Sequence, residues 1–184
     1  MPIKHFDQVR QDAVSTSEFA APLAAGTYLV GDPCYAFSNA LDQNWQDWLA
    51  DAWKDVDANR VRILDGRVNG MRVVASGTAY GDGTYHDQDG FAYMVDAGLL
   101  GAVHIGFIAN LYPEYAGLPH EEIAEKCSMR LVEFDVPFHV SYDDEGGINV
   151  GQIYIQTGDS AEEYACDHCG EGDCYDNACY DEEN

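Results

Sequence analysis

The segment Leu131–Tyr142 constrains the fold more than any other stretch of the chain. Val132, Phe134, Val136, Phe138, Val140 and Tyr142 alternate with Glu133, Asp135, Pro137, His139 and Ser141. Side chains of a strand point to its two faces in turn, so this period of two predicts one buried and one wet face. Pro137 has no N–H to give to a ladder, which puts the strand at a sheet edge. Asp143-Asp144-Glu145-Gly146-Gly147 reads as the turn that follows. In the return strand the apolar phase slips between Ile148/Val150 and Ile153/Ile155, and a β-bulge near Gly151 is the expected cause.

The remaining pattern adds strands and two helices. Thr27-Tyr28-Leu29-Val30 has strand composition and is stopped by Gly31-Asp32-Pro33. From Leu41 to Val56 the period changes: Leu41, Trp45, Trp48, Leu49, Ala52 and Trp53 make one apolar helical face opposite Asp42, Gln43, Asp47, Asp51 and Asp55. Val61–Leu64 and Met71–Ala75 are strands, with Asp65-Gly66 and Asn69-Gly70 as turn residues that accept positive φ. A second hairpin is expected around Asp87-Gln88-Asp89-Gly90, leading into Phe91–Val95, and Ala97–Phe107 reads as another buried strand or pair. Pro119, Glu121, Glu122 and Lys126 mark a second helix, with acids at its positive end and a cation at its negative end. The expected fold class is α+β: a mainly antiparallel β-sheet with one or two packed helices and a small C-terminal four-cysteine zinc knuckle. Residues 1–25 form an N-terminal arm, 26–160 an acidic α+β domain, and 161–184 an acidic tail carrying the knuckle.

Charge narrows the partners. Nine Lys and Arg stand against 33 Asp and Glu, a formal net charge of −24, and beyond Arg130 there is no Lys or Arg while fifteen acids follow. Nucleic-acid affinity comes mainly from cations that displace counterions, so direct nucleic-acid binding is not expected. Two readings remain: acidity as solubility or salt adaptation, or an acidic face that attracts a basic protein surface. An apolar fraction of 46% fits an ordered globular chain. No run of eighteen apolar residues argues for a membrane span. Met1-Pro2-Ile3-Lys4-His5-Phe6-Asp7 has no apolar signal region, so the expectation is a cytoplasmic protein.

Four of the six cysteines lie close together, as Cys166-Asp167-His168-Cys169-Gly170-Glu171-Gly172-Asp173-Cys174-Tyr175-Asp176-Asn177-Ala178-Cys179. The spacing C-x2-C-x4-C-x4-C resembles the zinc knuckle of retroviral nucleocapsid proteins, with Cys174 where that family has histidine. Tetrahedral Zn2+ accepts thiolate or imidazole, and metal binding would itself supply the folding energy of so short a loop. The expected ligands are Cys166, Cys169, Cys174 and Cys179, with His168 a bystander in preference to a substitute ligand. Two disulfides, disfavoured by a reducing location, and an unliganded tail are the alternatives. Knuckles that bind RNA carry basic residues; Asp167, Glu171, Asp173 and Asp176 stand here instead, which turns the expectation towards a structural or protein-docking element.

Two Gly-Asp patches complete the reading. Gly26-Thr27-Tyr28-Leu29-Val30-Gly31-Asp32-Pro33-Cys34-Tyr35 is followed by Gly77-Thr78-Ala79-Tyr80-Gly81-Asp82-Gly83-Thr84-Tyr85-His86-Asp87, running to Val95-Asp96-Ala97-Gly98-Leu99-Leu100-Gly101. The pair resembles an uncharacterised family of bacterial and phage proteins with Gly-Asp-Pro-Cys-Tyr, then Gly-Asp-Gly-x-Tyr, then Val-Asp-x-Gly-Leu-x-Gly. The resemblance covers roughly residues 26–108 and implies a shared fold and a phage or mobile-element setting, but no activity. Asp32, Asp82 and Asp96 sit near glycine at strand ends, where an aspartate ordinarily bonds backbone N–H groups and stabilises a turn. The alternative is a convergent polar site of Asp32, Cys34, Asp82, His86 and Asp96, with Cys34, His86 and Asp82 as the catalytic candidates. Its carboxylates and histidine could hold a divalent cation, or Cys34 and His86 could act as nucleophile and base. Asp87-Gln88-Asp89-Gly90 with Asp96 faintly echoes a calcium loop, but Tyr85 stands where that loop needs its first carboxylate. These features rank a non-enzymatic acidic binding protein first, of the nucleic-acid-mimic inhibitor type. A structural or virion subunit comes second, and a hydrolase or transferase using the Gly-Asp motifs third.

Overall fold

A computed structural model describes residues 15–17, 20–37, 43–59 and 63–158, with the backbone alone for 15–17 and 52–59. The Cys166–Cys179 segment, the acidic tail, most of the N-terminal arm, Leu41, and the side chain of Trp53 lie outside that description. The strands are β1 Ser15–Ser17, β2 Gly26–Gly31, β3 Ile63–Val68, β4 Met71–Gly77, β5 Gly83–Asp87, β6 Ala92–Val95, β7 Leu99–His104, β8 Arg130–Phe134, β9 Val140–Tyr142, β10 Gly147–Val150 and β11 Ile153–Gln156. The helices are α1 Pro33–Ala36, α2 Gln43–Asn59, α3 Ile105–Leu111 and α4 His120–Lys126. Pairing is antiparallel throughout, in a six-stranded sheet of order β1-β3-β4-β7-β2-β8 and a five-stranded sheet of order β6-β5-β11-β10-β9.

Two apolar layers explain why the central strands read as unbroken hydrophobic runs. Leu29, Val73, Leu99 and Val103 face the helices, together with Phe37, Trp45 and Trp48. Their chain neighbours Val30, Val74, Leu100 and Ala102 face the second sheet, against Tyr93, Ile148, Val150, Ile153 and Ile155. Every second residue pointing the other way therefore still needs to be apolar, because both faces of the six-stranded sheet are covered. On the helix side Phe37, Trp45 and Trp48 stack in sequence, with centroids 5.3 and 5.2 Å apart. Strands β4 and β7 approach so closely that a Cβ on Gly101 would lie 2.2 Å from the Val74 carbonyl oxygen.

The α+β class and antiparallel pairing are as the sequence predicts; four local expectations need correction. Leu131–Tyr142 is two strands in two different sheets: β8 edges the six-stranded sheet and β9 the five-stranded one. The alternation survives the crossing except at Val136, which is 67% exposed at the corner, while Phe134 and Phe138 stack on either side of it. Leu23 closes the corner by exchanging backbone hydrogen bonds of 2.7 and 3.0 Å with Phe138. Gly151 is no bulge: Val150 pairs with Ile153 across a two-residue turn, with Gly151 at φ 61°. Directly opposed residues share a face, so Val150 and Ile153 are both inward and the apparent phase slip is the turn itself. Asp65-Gly66 lies within β3, opposite Val74 and Val73, and only Asn69-Gly70 turns the chain, at φ 53° and 79°. Ala97–Phe107 is a strand that ends in helix α3, whose first turn His104 caps by accepting from the Gly106 N–H at 3.1 Å. Helices α1 and α3 are too short to leave a periodic signal, whereas α2 and α4 do leave one.

Candidate functional site

The first Gly-Asp motif forms a staple at the end of β2. Asp32 is fully buried and caps α1, its Oδ1 accepting from the Cys34 N–H at 2.9 Å. Its Oδ2 accepts from the N–H groups of Asp96 and Ala97 at 2.9 and 2.7 Å, across the gap to the segment joining β6 and β7. Burial pushes the Asp32 carboxyl up from the ordinary range, opposed by those three amides. Asp32, Cys34 and Asp96 are thus brought together, Asp32 and Asp96 across 64 positions of chain. The geometry is that of the turn-stabilising role, extended over a long range.

What this cluster can do chemically follows from its charges. Burial raises the Cys34 thiol far above the usual range, and the Asp32 and Asp96 carboxylates raise it further. The Tyr35 hydroxyl is likewise raised by burial and by the Asp96 carboxylate beside it. Cysteine attacks as thiolate, so a thiol held protonated by two neighbouring carboxylates is a poor nucleophile. Asp82 is exposed in the loop before β5, where the pairing of Gly83 with Val95 sets it beside Asp96 at the rim of the cluster, whereas His86 is exposed further along β5, opposite Gln156. Among the described residues no group of three or more His, Cys, Asp or Glu side chains could hold a metal ion.

A second buried carboxylate lies in the hairpin with the calcium-like spacing. Asp87 ends β5 with its side chain 0% exposed. Its Oδ1 accepts from the Asp89 and Phe91 N–H groups, both at 2.9 Å, and shapes the turn. Its Oδ2 accepts from the Tyr93 hydroxyl at 2.7 Å and from the Arg130 guanidinium. Arg130 also reaches Asp89 at 2.9 Å and lies 5.7 Å from the Phe91 ring centroid. Burial works to raise the Asp87 carboxyl, but Tyr93, the two amides and Arg130 outweigh it and hold it below the ordinary range. Because Arg130 belongs to β8 and Asp87 to β5, this clasp ties one sheet to the other. Sequence reasoning picks out the Asp87 turn but not its partners, 43 positions away in the case of Arg130. The one available signal is Arg130 as the final cation of the chain.

The described cations are all engaged in this way. Arg72 pairs with Asp65 at 2.6 Å and donates to the carbonyls of Ala21 and Pro22. Lys126 faces Glu122 at 3.8 Å, and Arg67 donates to the Gly70 carbonyl at 2.8 Å. Asp82, Glu114, Glu121, Glu133, Asp135 and Asp144 lack an ion pair among the described residues. No helix among the described residues is long and apolar enough to cross a membrane. The chain matches no family model, no curated protein and no solved structure.

Proposed function

We propose that this protein acts by binding rather than by catalysis, offering its acidic surface to a basic protein surface in the manner of a nucleic-acid mimic. The observation that carries the reading is the fate of the cations. All four described basic side chains face internal partners, and among the described residues none is left to offset the remaining exposed acids. A surface of that kind accelerates encounter with a cationic partner and repels phosphate. The protonated Cys34 thiol and the separation of Cys34 from the exposed His86 give no support to a nucleophile–base pair. In keeping with the resemblance of residues 26–108, the setting we propose is phage-encoded, in the host cytoplasm. To this we add a C-terminal zinc site with Cys166, Cys169, Cys174 and Cys179 as thiolate ligands, closing the tail as an acidic cap.

Two measurements test this. In pull-downs from host lysate at roughly 0.05 M and 0.5 M salt, a basic partner is captured in the first and lost in the second, since screening shortens the reach of exposed charges. A partner retained equally at both refutes the electrostatic reading. Full-length protein purified without chelator carries about one zinc per chain, and less than about half an equivalent removes the metal from the proposal.

A further inference from the structure

We propose that the loop Thr78–Asp82 is a docking tip for an arginine side chain of the basic partner, received by the Tyr80 ring and the Asp82 carboxylate. This inference rests on the binding reading above and names the place where that binding is specific. Tyr80 is 65% exposed, the most exposed aromatic among the described residues. So exposed a ring adds little to the core, yet its loop is clamped. The Thr78 N–H donates to the Gly98 carbonyl at 2.9 Å, and the Ala79 N–H to Thr157 Oγ1 at 3.1 Å. Thr78 Oγ1 and the Tyr85 hydroxyl both donate to the Gly81 carbonyl, at 2.6 and 2.9 Å, with Gly81 at φ 82°. An aromatic held out on a fixed loop loses little entropy when a partner meets it, which is how binding loops use tyrosine.

The carboxylate beside it is left free of the turn-shaping role that Asp32, Asp87 and Asp143 perform. Asp32, Asp87 and Asp143 each accept from two or more backbone amides. Among the described residues no such bond engages Asp82, which stands exposed two residues from Tyr80. Gly83 pairs with Val95, so Asp82 and the exposed Asp96 flank the same end of the β5–β6 hairpin, and Met94, 48% exposed, lies opposite Thr84. The chain has no Lys or Arg between Arg72 and Lys126. The loop therefore offers an exposed aromatic ring and an exposed carboxylate two residues apart, with no Lys or Arg in its own stretch of chain. A planar guanidinium can stack on a ring and donate two parallel hydrogen bonds to a carboxylate; a lysine ammonium is a point charge that meets either group without stacking or bidentate pairing.

The test is titration of the 15N-labelled full chain with hexa-arginine and with hexa-lysine at about 0.05 M salt. Hexa-arginine is expected to bind about three- to fivefold more tightly, with shifts concentrated at residues 78–84 and 94–98. Tyr80→Ala should abolish that preference and Asp82→Asn should weaken binding, both with the rest of the spectrum unchanged. Phe107→Ala, at another exposed aromatic, should leave it intact. Equal affinity for the two peptides, shifts spread evenly over the acids, or a Tyr80→Ala variant that keeps the preference would overturn the docking tip while leaving the acidic-surface reading in place. Absence of binding by either peptide would overturn both.

Discussion

Replacing Arg130 by methionine isolates the clasp between the sheets. The substitution keeps an unbranched apolar side chain but withdraws the guanidinium that lies over Phe91 and pairs with a carboxylate that is itself 0% exposed. Asp87 retains the Tyr93 hydroxyl and the Asp89 and Phe91 amides, so the loss is not total. Breaking a buried pair by removing one partner costs about 3–5 kcal/mol. Arg130 is 26% exposed, and the partial hydration puts the expected loss near the lower end, about 3 kcal/mol. For a chain of 184 residues that corresponds to a fall in Tm of roughly 6–12 °C. The pH dependence sharpens the test. Asp87 is held below the ordinary carboxylate range in the folded protein. Its contribution is therefore present above the unfolded value and is lost as pH falls through the folded one. In the variant the carboxylate takes up its proton earlier, so the stability gap between wild type and Arg130→Met should be full at pH 7 and narrow below about pH 4. Urea unfolding at pH 7, 5 and 3.5 measures it. A loss under about 0.5 kcal/mol at pH 7, the size of an ordinary surface substitution, would refute the clasp as a tie between the sheets. So would a gap that does not narrow with acid.

Other positions give further checks. Asp32→Ala leaves the amides of Cys34, Asp96 and Ala97 without their shared acceptor, and at about 1–3 kcal/mol for each buried unsatisfied group the variant should lose at least about 3 kcal/mol in denaturant unfolding. Gly101→Ala forces a methyl group against backbone of β4, with no flexible side chain to give way, so it should lower Tm more than any alanine placed at the exposed Gly70 or Gly90 turns would. Burial, and then the neighbouring His120, hold His104 below the ordinary histidine range, and its Nδ1 must stay unprotonated to accept from Gly106. The stability this confers is complete above the unfolded pKa and declines as pH falls through it. NMR titration should find His104 taking up its proton at lower pH in the folded chain than in the unfolded one, and His104→Asn, which keeps a cap, should flatten the decline. The Cys34 thiol should alkylate at pH 8 far more slowly than a free cysteine.

How much of this is legible in the chain depends on the range over which each residue acts. Helix α2 can be read from Trp45 and Trp48, and the β3–β4 turn from Asn69-Gly70, because periodicity and turn chemistry are local. The alternation of Leu131–Tyr142 is equally local and still misleads. Phe134 and Phe138 face the same apolar layer from two different sheets, so the inward pattern continues through a corner that sequence alone cannot show. Val136 is the exception in that pattern. The Gly151 turn is hidden for a related reason, since opposed hairpin partners lie on one face and mimic a slip of phase. Within the candidate site, Asp32 is recognisable as a turn aspartate, but its bonds to Asp96 and Ala97 depend on how β2 and β6 are placed. The Asp87–Arg130 clasp spans both sheets and leaves no local trace.

The strand orders carry a consequence for the way this chain reaches its fold. The five-stranded sheet draws β5 and β6 from the middle of the sequence and β9, β10 and β11 from its later part, while β7 and β8 return to the other sheet in between. Neither sheet is a continuous stretch of chain, so neither can be completed before the other is well advanced. Pairings across such separations demand loop closure before they repay it, and folding dominated by them is slow. The chain should therefore acquire its two sheets in one cooperative step. During synthesis, β5 and β6 would wait with an unpaired edge until β11 emerges.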